Sequence, residues 1–190
     1  SSMPSRTELS SSWCRHPSPI AARRATLTVA TGLADYAADL VNVIPPQAAG
    51  VIARDAGLAD ASGYCPVRAD SMRSTMDERI TLVGDATVAG DMPKSAYSAN
   101  SQARVAASSI LAELAAGQEV EPTYFNTCWS LIAPEDAVKV GGRYVAQEGR
   151  ITAIETFVSQ PGEDARTRRR TQAENMGWYE GIIETVFGAT

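Results

Sequence analysis

Histidine and cysteine are scarce in this chain: one histidine, His16, and three cysteines, Cys14, Cys65 and Cys128, among 190 residues. No two cysteines form a Cys-x-x-Cys pair, so no zinc-type ligand set is written into the chain. No G-x-G-x-x-G turn follows a strand-like run. Gly141-Gly142 has neither the spacing nor a helix after it, so the pyrophosphate-binding turn of a dinucleotide fold is missing. No apolar run approaches the roughly 20 residues that a membrane helix needs. The opening Ser1-Ser2-Met3-Pro4-Ser5-Arg6 lacks the apolar core of a secretion signal. A net charge of -5 opposes nucleic-acid binding through phosphate contacts. No internal repeat is present. What remains is globular: 44% hydrophobic and 21% charged residues, in a length suited to one or two small domains.

Residues 1 to 24 are rich in Ser, Pro and Arg and lack periodicity, which predicts a poorly ordered leader. Thr26 to Val29 alternates like a strand, and Asp39 to Ile44 reads as a continuous apolar strand that Pro45-Pro46 must end. Gln47 to Leu58 reads as a short helix and Ala59 to Pro66 as a turn. Ile80 to Val83 predicts a further buried strand. From about Ser98 to Ala115 the set Ala103, Ala106, Ala107, Ile110, Leu111 and Leu114 repeats at helical spacing. Ser95 and Ser98 both suit its N-cap, and Gly117 suits its end. A composition change at Gln118 to Pro122 marks a boundary. Beyond it Tyr124–Leu131, Val138–Val145 and Ile151–Phe157 predict short strands, and residues 163–187 a final helix carrying Trp178, Ile182, Ile183 and Val186. The Arg166, Arg168, Arg169, Arg170 cluster reads as a solvated face, and His16 as an exposed singleton.

The most informative stretch is Ile80 to Ala86 with the loop and helix after it. An apolar run ends in Gly84-Asp85 and a long Ala-rich helix soon begins. This order puts a carboxylate at the end of a strand beside the positive end of a helix, where open α/β sheets bind ligands. The Asp suits a ligand rich in hydroxyls. The helix start suits one that carries or develops negative charge.

The words around that stretch are Val43-Ile44-Pro45-Pro46-Gln47 with Ala49-Gly50, Gly63-Tyr64-Cys65-Pro66-Val67 and Val83-Gly84-Asp85-Ala86. They continue through Met92-Pro93-Lys94-Ser95-Ala96-Tyr97-Ser98-Ala99-Asn100-Ser101-Gln102, Asn126-Thr127-Cys128, Trp178-Tyr179 and Phe187-Gly188. From about Asp39 to Gly188 the chain resembles the carboxyl-terminal portion of the flavoprotein subunit of flavocytochrome c sulfide dehydrogenase.

The resemblance implies an α/β fold: part of a two-dinucleotide-type FAD-binding fold over residues 25–118, then a small α+β domain over 119–190. It implies FAD as cofactor, with Gly84, Asp85, Pro45, Pro46, Lys94, Tyr97, Ser98, Asn100 and Trp178 around its ribityl chain and ring. Asp85 would orient the ribityl chain, Pro45-Pro46 would wall the ring, Trp178 would cover it, and Lys94 would help stabilise its reduced form. The ADP half would be held by an upstream segment, so this polypeptide by itself is expected to bind flavin weakly or not at all.

Cys128 matches one half of a redox-active disulfide whose other half lies upstream of everything matched. Cys65 matches a family cysteine and is given a packing role; spacing alone neither supports nor forbids a Cys65–Cys128 disulfide. The implied substrate is hydrogen sulfide, the implied partner a c-type cytochrome subunit, since no C-x-x-C-H is present, and the implied location the periplasm. A sulfide:quinone-type oxidoreductase and a non-catalytic remnant are the alternatives. Membrane attachment is the weaker expectation, because the last helix carries Glu174, Glu180 and Glu184.

Overall fold

A computed structural model describes residues 27–30, 33–44, 46–115 and 121–188. The leader expected over residues 1–24, with Cys14 and His16, lies outside them, as do Pro45 and Gly117. The chain divides into two compact units between Pro46 and Gln47. In the first unit β1 (Leu27–Ala30) pairs antiparallel with β2 (Asp35–Ala38), Leu27 opposite Ala38 and Ala30 opposite Asp35. The strand expected over Asp39–Ile44 does not form: Leu40 and Ile44 are exposed. An apolar run becomes a strand only where a ladder partner meets it, and the four rungs with β1 are spent on residues 35–38.

The second unit runs α1 (Val51–Asp55), β3 (Cys65–Pro66), a 3₁₀ turn at Gly84–Ala86, β4 (Thr87–Val88) and α2 (Ala96–Leu114). It continues with β5 (Thr123–Ala133), β6 (Asp136–Gln147), β7 (Arg150–Val158) and α3 (Ala165–Phe187). The three long strands form an antiparallel sheet in the order β5-β6-β7, with Asn126 opposite Gly142 and Cys128 opposite Val140. Glu148 (φ 51°) and Gly149 (φ 75°) are the two loop residues of the tight β6–β7 hairpin, the pattern of a two-residue turn that matches strand twist. Asp164 caps α3 by accepting the Thr167 N–H at 2.9 Å. These four carboxyl-terminal elements form where the periodicity puts them, a residue or more longer at most ends.

The strand expected over Ile80–Val83 is absent. The segment is an irregular loop, tied by one isolated bridge between Arg73 and Thr81 and by Leu82 N–H donating to the Met72 carbonyl at 3.0 Å. Ile80 and Leu82 pack on a small core of Ala49, Ala53, Leu58 and Cys65, while Val83 is exposed. The true ladder partner of this region is Cys65–Pro66, which runs parallel to Thr87–Val88, after the Gly-Asp turn rather than before it.

The main core gathers Ala69, Met72, Met92, Ala106, Tyr124, Tyr144 and Ile151. It joins the loops after β3 to α2 and to the sheet. The face that α2 buries also differs from the expected one. Its buried residues are Ser98, Ser101, Gln102 and Ala106, whereas Ala103, Ala107, Ile110, Leu111 and Leu114 are exposed. Polar side chains can be inside here because each finds a partner. Ser101 Oγ accepts the Phe125 N–H at 2.9 Å and Gln102 Oε1 accepts the Gly84 N–H at 2.7 Å.

Candidate functional site

The Gly84–Ala86 turn, the loop from Ala89 to Lys94 and the first turns of α2 enclose a cleft of about 290 Å³. Asp85, Lys94 and Tyr64 are shared with an adjoining hollow of about 340 Å³. Gly84 sits at φ +78°, in the left-handed region, so the chain can turn sharply there with no Cβ penalty. Its N–H is held by Gln102, and its carbonyl accepts the Thr87 hydroxyl at 2.8 Å. The turn is therefore pinned from α2, and the Asp85 carboxylate is left exposed at the cleft.

Lys94 crosses the same region. Its Nζ donates to the Asp85 carbonyl at 2.6 Å and the Thr87 carbonyl at 2.8 Å, and lies 4.0 Å from the centre of the Tyr64 ring. Burial pulls the ammonium below its usual value, opposed by the nearby Asp85 and Cys65. The lysine works first as a fastener of the Gly-Asp turn.

The loop that lines the cleft through Gly90 and Met92 is tied to the hairpin by the residue between them. The Asp91 N–H donates to the Ile151 carbonyl at 2.9 Å, and the Asp91 carboxylate accepts the Ala153 N–H at 3.1 Å and pairs with Arg150. The Ala153 N–H and the Arg150 guanidinium hold the Asp91 carboxyl below the usual carboxylate range. Gly90, at φ +60°, passes so near Ile151 that a Cβ would stand 2.2 Å from its carbonyl oxygen.

Helix α2 begins at Ser95, whose Oγ accepts the Ser98 N–H at 3.0 Å. Ser95, not Ser98, is the cap. The same Ser95 hydroxyl donates to Asn126 Oδ1 at 2.6 Å, and the Ser98 hydroxyl donates to that oxygen at 3.2 Å. The Asn126 amide nitrogen and Oδ1 both stand 3.7 Å from Cys128 Sγ. Period two along β5 puts Asn126 and Cys128 on one side of the strand. Cys128 and Cys65 are both free thiols, Cys128 half-buried and Cys65 fully buried, so no disulfide joins them. Burial, then the Asp60 charge, pushes the Cys65 thiol up.

The expected site residues thus fall into groups. Gly84, Asp85, Lys94 and Ser98 line one cleft. Tyr97 and Trp178 stack on each other with ring centres 5.3 Å apart, and Trp129 meets both at 5.9 Å. Asn100 accepts from Arg104 on its own helix at 3.3 Å. Pro46 is exposed at the end of the first unit. Tyr64, Gln102, Asn126 and Trp129 were not among the expected residues. For Asn126 the signal was in plain view, two residues before Cys128 on a strand.

Residues 120–187 match a family model. Its description is flavocytochrome c sulphide dehydrogenase, flavin-binding. The matched stretch is β5 to α3, the sheet that carries Asn126 and Cys128 and the helix that carries Trp178. The resemblance to the carboxyl-terminal portion of that flavoprotein subunit is shown over these residues. The family is a flavin-binding one, in agreement with FAD, and its class is that of flavoprotein oxidoreductases; its name couples the flavin protein to a cytochrome c. The mixture of helices and sheets agrees with the α/β expectation at that coarse level. Among the described residues no helix is long and apolar enough to cross a membrane.

Proposed function

We propose that this chain supplies the ribityl and ring half of an FAD site in a sulfide dehydrogenase that passes electrons to a c-type cytochrome in the periplasm. The observation that carries the reading is the cleft itself. An exposed carboxylate, Asp85, lies in a hollow that also takes in Ser98 from the first turn of a capped helix, in a chain whose next segment matches a flavin-binding family. The donor set fits the cofactor. A carboxylate accepts from ribityl hydroxyls, and the positive end of a helix favours an electron-rich ring edge. FAD, when bound, supplies the two-electron acceptor and the one-electron donor.

The chain's own residues hold and orient. Asp85 would take the ribityl hydroxyls, Lys94 keeps the Gly-Asp turn in place, and the α2 start would face the ring. Cys128 would share a disulfide with a second cysteine. Hydrosulfide attacks one of the two sulfurs, the S–S bond breaks, a persulfide forms on the attacked cysteine and the other leaves as thiolate. The two-dinucleotide fold, with the ADP half of the cofactor held by other residues, belongs to the same proposal.

Flavin fluorescence tests the reading. FMN and FAD, titrated separately into the chain, should be quenched at similar, weak concentrations, ADP should not compete, and Asp85→Ala should weaken both about tenfold. Competition by ADP, or equal binding by Asp85→Ala, overturns it.

A further inference from the structure

Asn126 is 2% exposed, and its side chain joins the start of α2 to the Cys128 sulfur. Its Oδ1 accepts two serine hydroxyls, from Ser95 and Ser98. A carbonyl oxygen has two lone pairs, so these hydroxyls occupy it. Ser95 Oγ accepts the Ser98 N–H and gives its own proton to Asn126 Oδ1. The Cys128 sulfur stands 3.7 Å from both Nδ2 and Oδ1; with the two Oδ1 lone pairs taken by the serine hydroxyls, the amide N–H group is what Asn126 has left for it. Buried amides are seldom kept without such partners, because an unpaired one is costly.

We propose that Asn126 is a positioning residue for Cys128: oriented by Ser95 and Ser98, its amide N–H donates to the sulfur and sets how readily that thiol reacts. The inference rests on Cys128 being the reactive thiol of the proposed function. Hydrogen bonding to a sulfur that carries charge is stronger than to a neutral one, so the amide favours the reactive form. It also places the sulfur relative to the helix start, since one planar amide meets both.

The test uses the reduced chain carrying Cys14→Ser, with Asn126→Ala and the isosteric Asn126→Asp compared against it. Iodoacetamide alkylation of Cys128, followed by mass spectrometry, should slow about three- to tenfold in both variants. The S–H stretching band of Cys128, taken as an infrared difference against Cys128→Ser, should move in Asn126→Ala. Alkylation within twofold of the parent, with an unmoved band in a folded variant, overturns the proposal. Should both Asn126 variants unfold, Ser98→Ala decides: it leaves Asn126 in place and removes one of its two orienting hydroxyls, so alkylation must still slow measurably, and an unchanged rate overturns the proposal. Failure of the parent reading is separately visible. Sulfide oxidation that survives Cys128→Ser in the assembled enzyme would sink the role of the thiol and leave the Asn126 effect on alkylation intact.

Discussion

The Lys94 ammonium rests 4.0 Å from the centre of the Tyr64 ring while it donates to the backbone carbonyls of Asp85 and Thr87. One cation thus binds three pieces of chain: the turn after α1, the Gly-Asp turn and the loop into α2. Replacing Lys94 by Met keeps most of the stem and deletes the charge. The expected cost is about 1–2 kcal/mol, discounted because the side chain is partly in solvent. Urea unfolding measures it. A Lys94→Met chain as stable as its parent would show that water replaces the ammonium without loss.

Tyr124 is fully buried, and its hydroxyl donates to the Ala69 carbonyl at 2.5 Å. Burial, with a smaller push from Asp70, raises the phenol above its ordinary 10.0. The folded chain keeps this proton after the unfolded chain has lost it. The contribution to stability is therefore whole below about pH 10 and falls as pH rises beyond it, by at most about 1.4 kcal/mol per pH unit. Tyr124→Phe should cost about 1 kcal/mol at neutral pH and flatten the alkaline decline. Tyr144, also raised by burial, keeps the decline from vanishing. Denaturant midpoints from neutral to strongly alkaline pH give both numbers, and an unaltered alkaline slope would contradict the assignment.

Gly90→Ala is expected to be among the more damaging single-methyl changes in the chain. The residue has φ +60°, and the new Cβ would collide with the Ile151 backbone. A strained backbone and a backbone–backbone approach together predict a loss of about 2–4 kcal/mol. Thermal unfolding checks it; a shift of only a degree or two would mean that the loop can be displaced cheaply.

The two described cysteines should separate under labelling. In a Cys14→Ser chain near neutral pH, iodoacetamide should modify half-buried Cys128 first and spare Cys65, which is fully buried and whose thiol is pushed up by that burial. Equal rates at the two sites would reveal local opening around the Ala49–Leu58 core.

How much of this was readable beforehand depended on how local each feature is. The three strands of the sheet, α2 and α3 announce themselves by their own periodicity, and each forms close to its expected span. Residues 39–44 and 80–83 look like strands by composition and are not, because strand formation needs a partner and their neighbours pair elsewhere. Periodicity also misjudged α2, where the alanine and leucine side is exposed and the serine and glutamine side is inside. A hydroxyl's preference for the interior depends on what faces it, here Asn126, the Phe125 amide and the Gly84 amide. The cleft residues Gly84, Asp85, Lys94 and Ser98 were named from motif words. The tie from Asn126 to two serines about thirty residues earlier is visible only once β5 is laid beside α2.

The bonds from Asp91 to Ile151, Ala153 and Arg150 place part of the cleft's wall under the control of a hairpin some sixty residues later in the chain. None of those three residues lines the cleft. Descendants of this gene could therefore vary ligand fit by drifting at Glu148-Gly149, where a changed turn would tilt the strand ends and carry Asp91 with them. Homologues should then show a reshaped cleft with every lining residue intact, so inheritance of the pocket would be traced more faithfully through the hairpin's length than through the pocket's own letters.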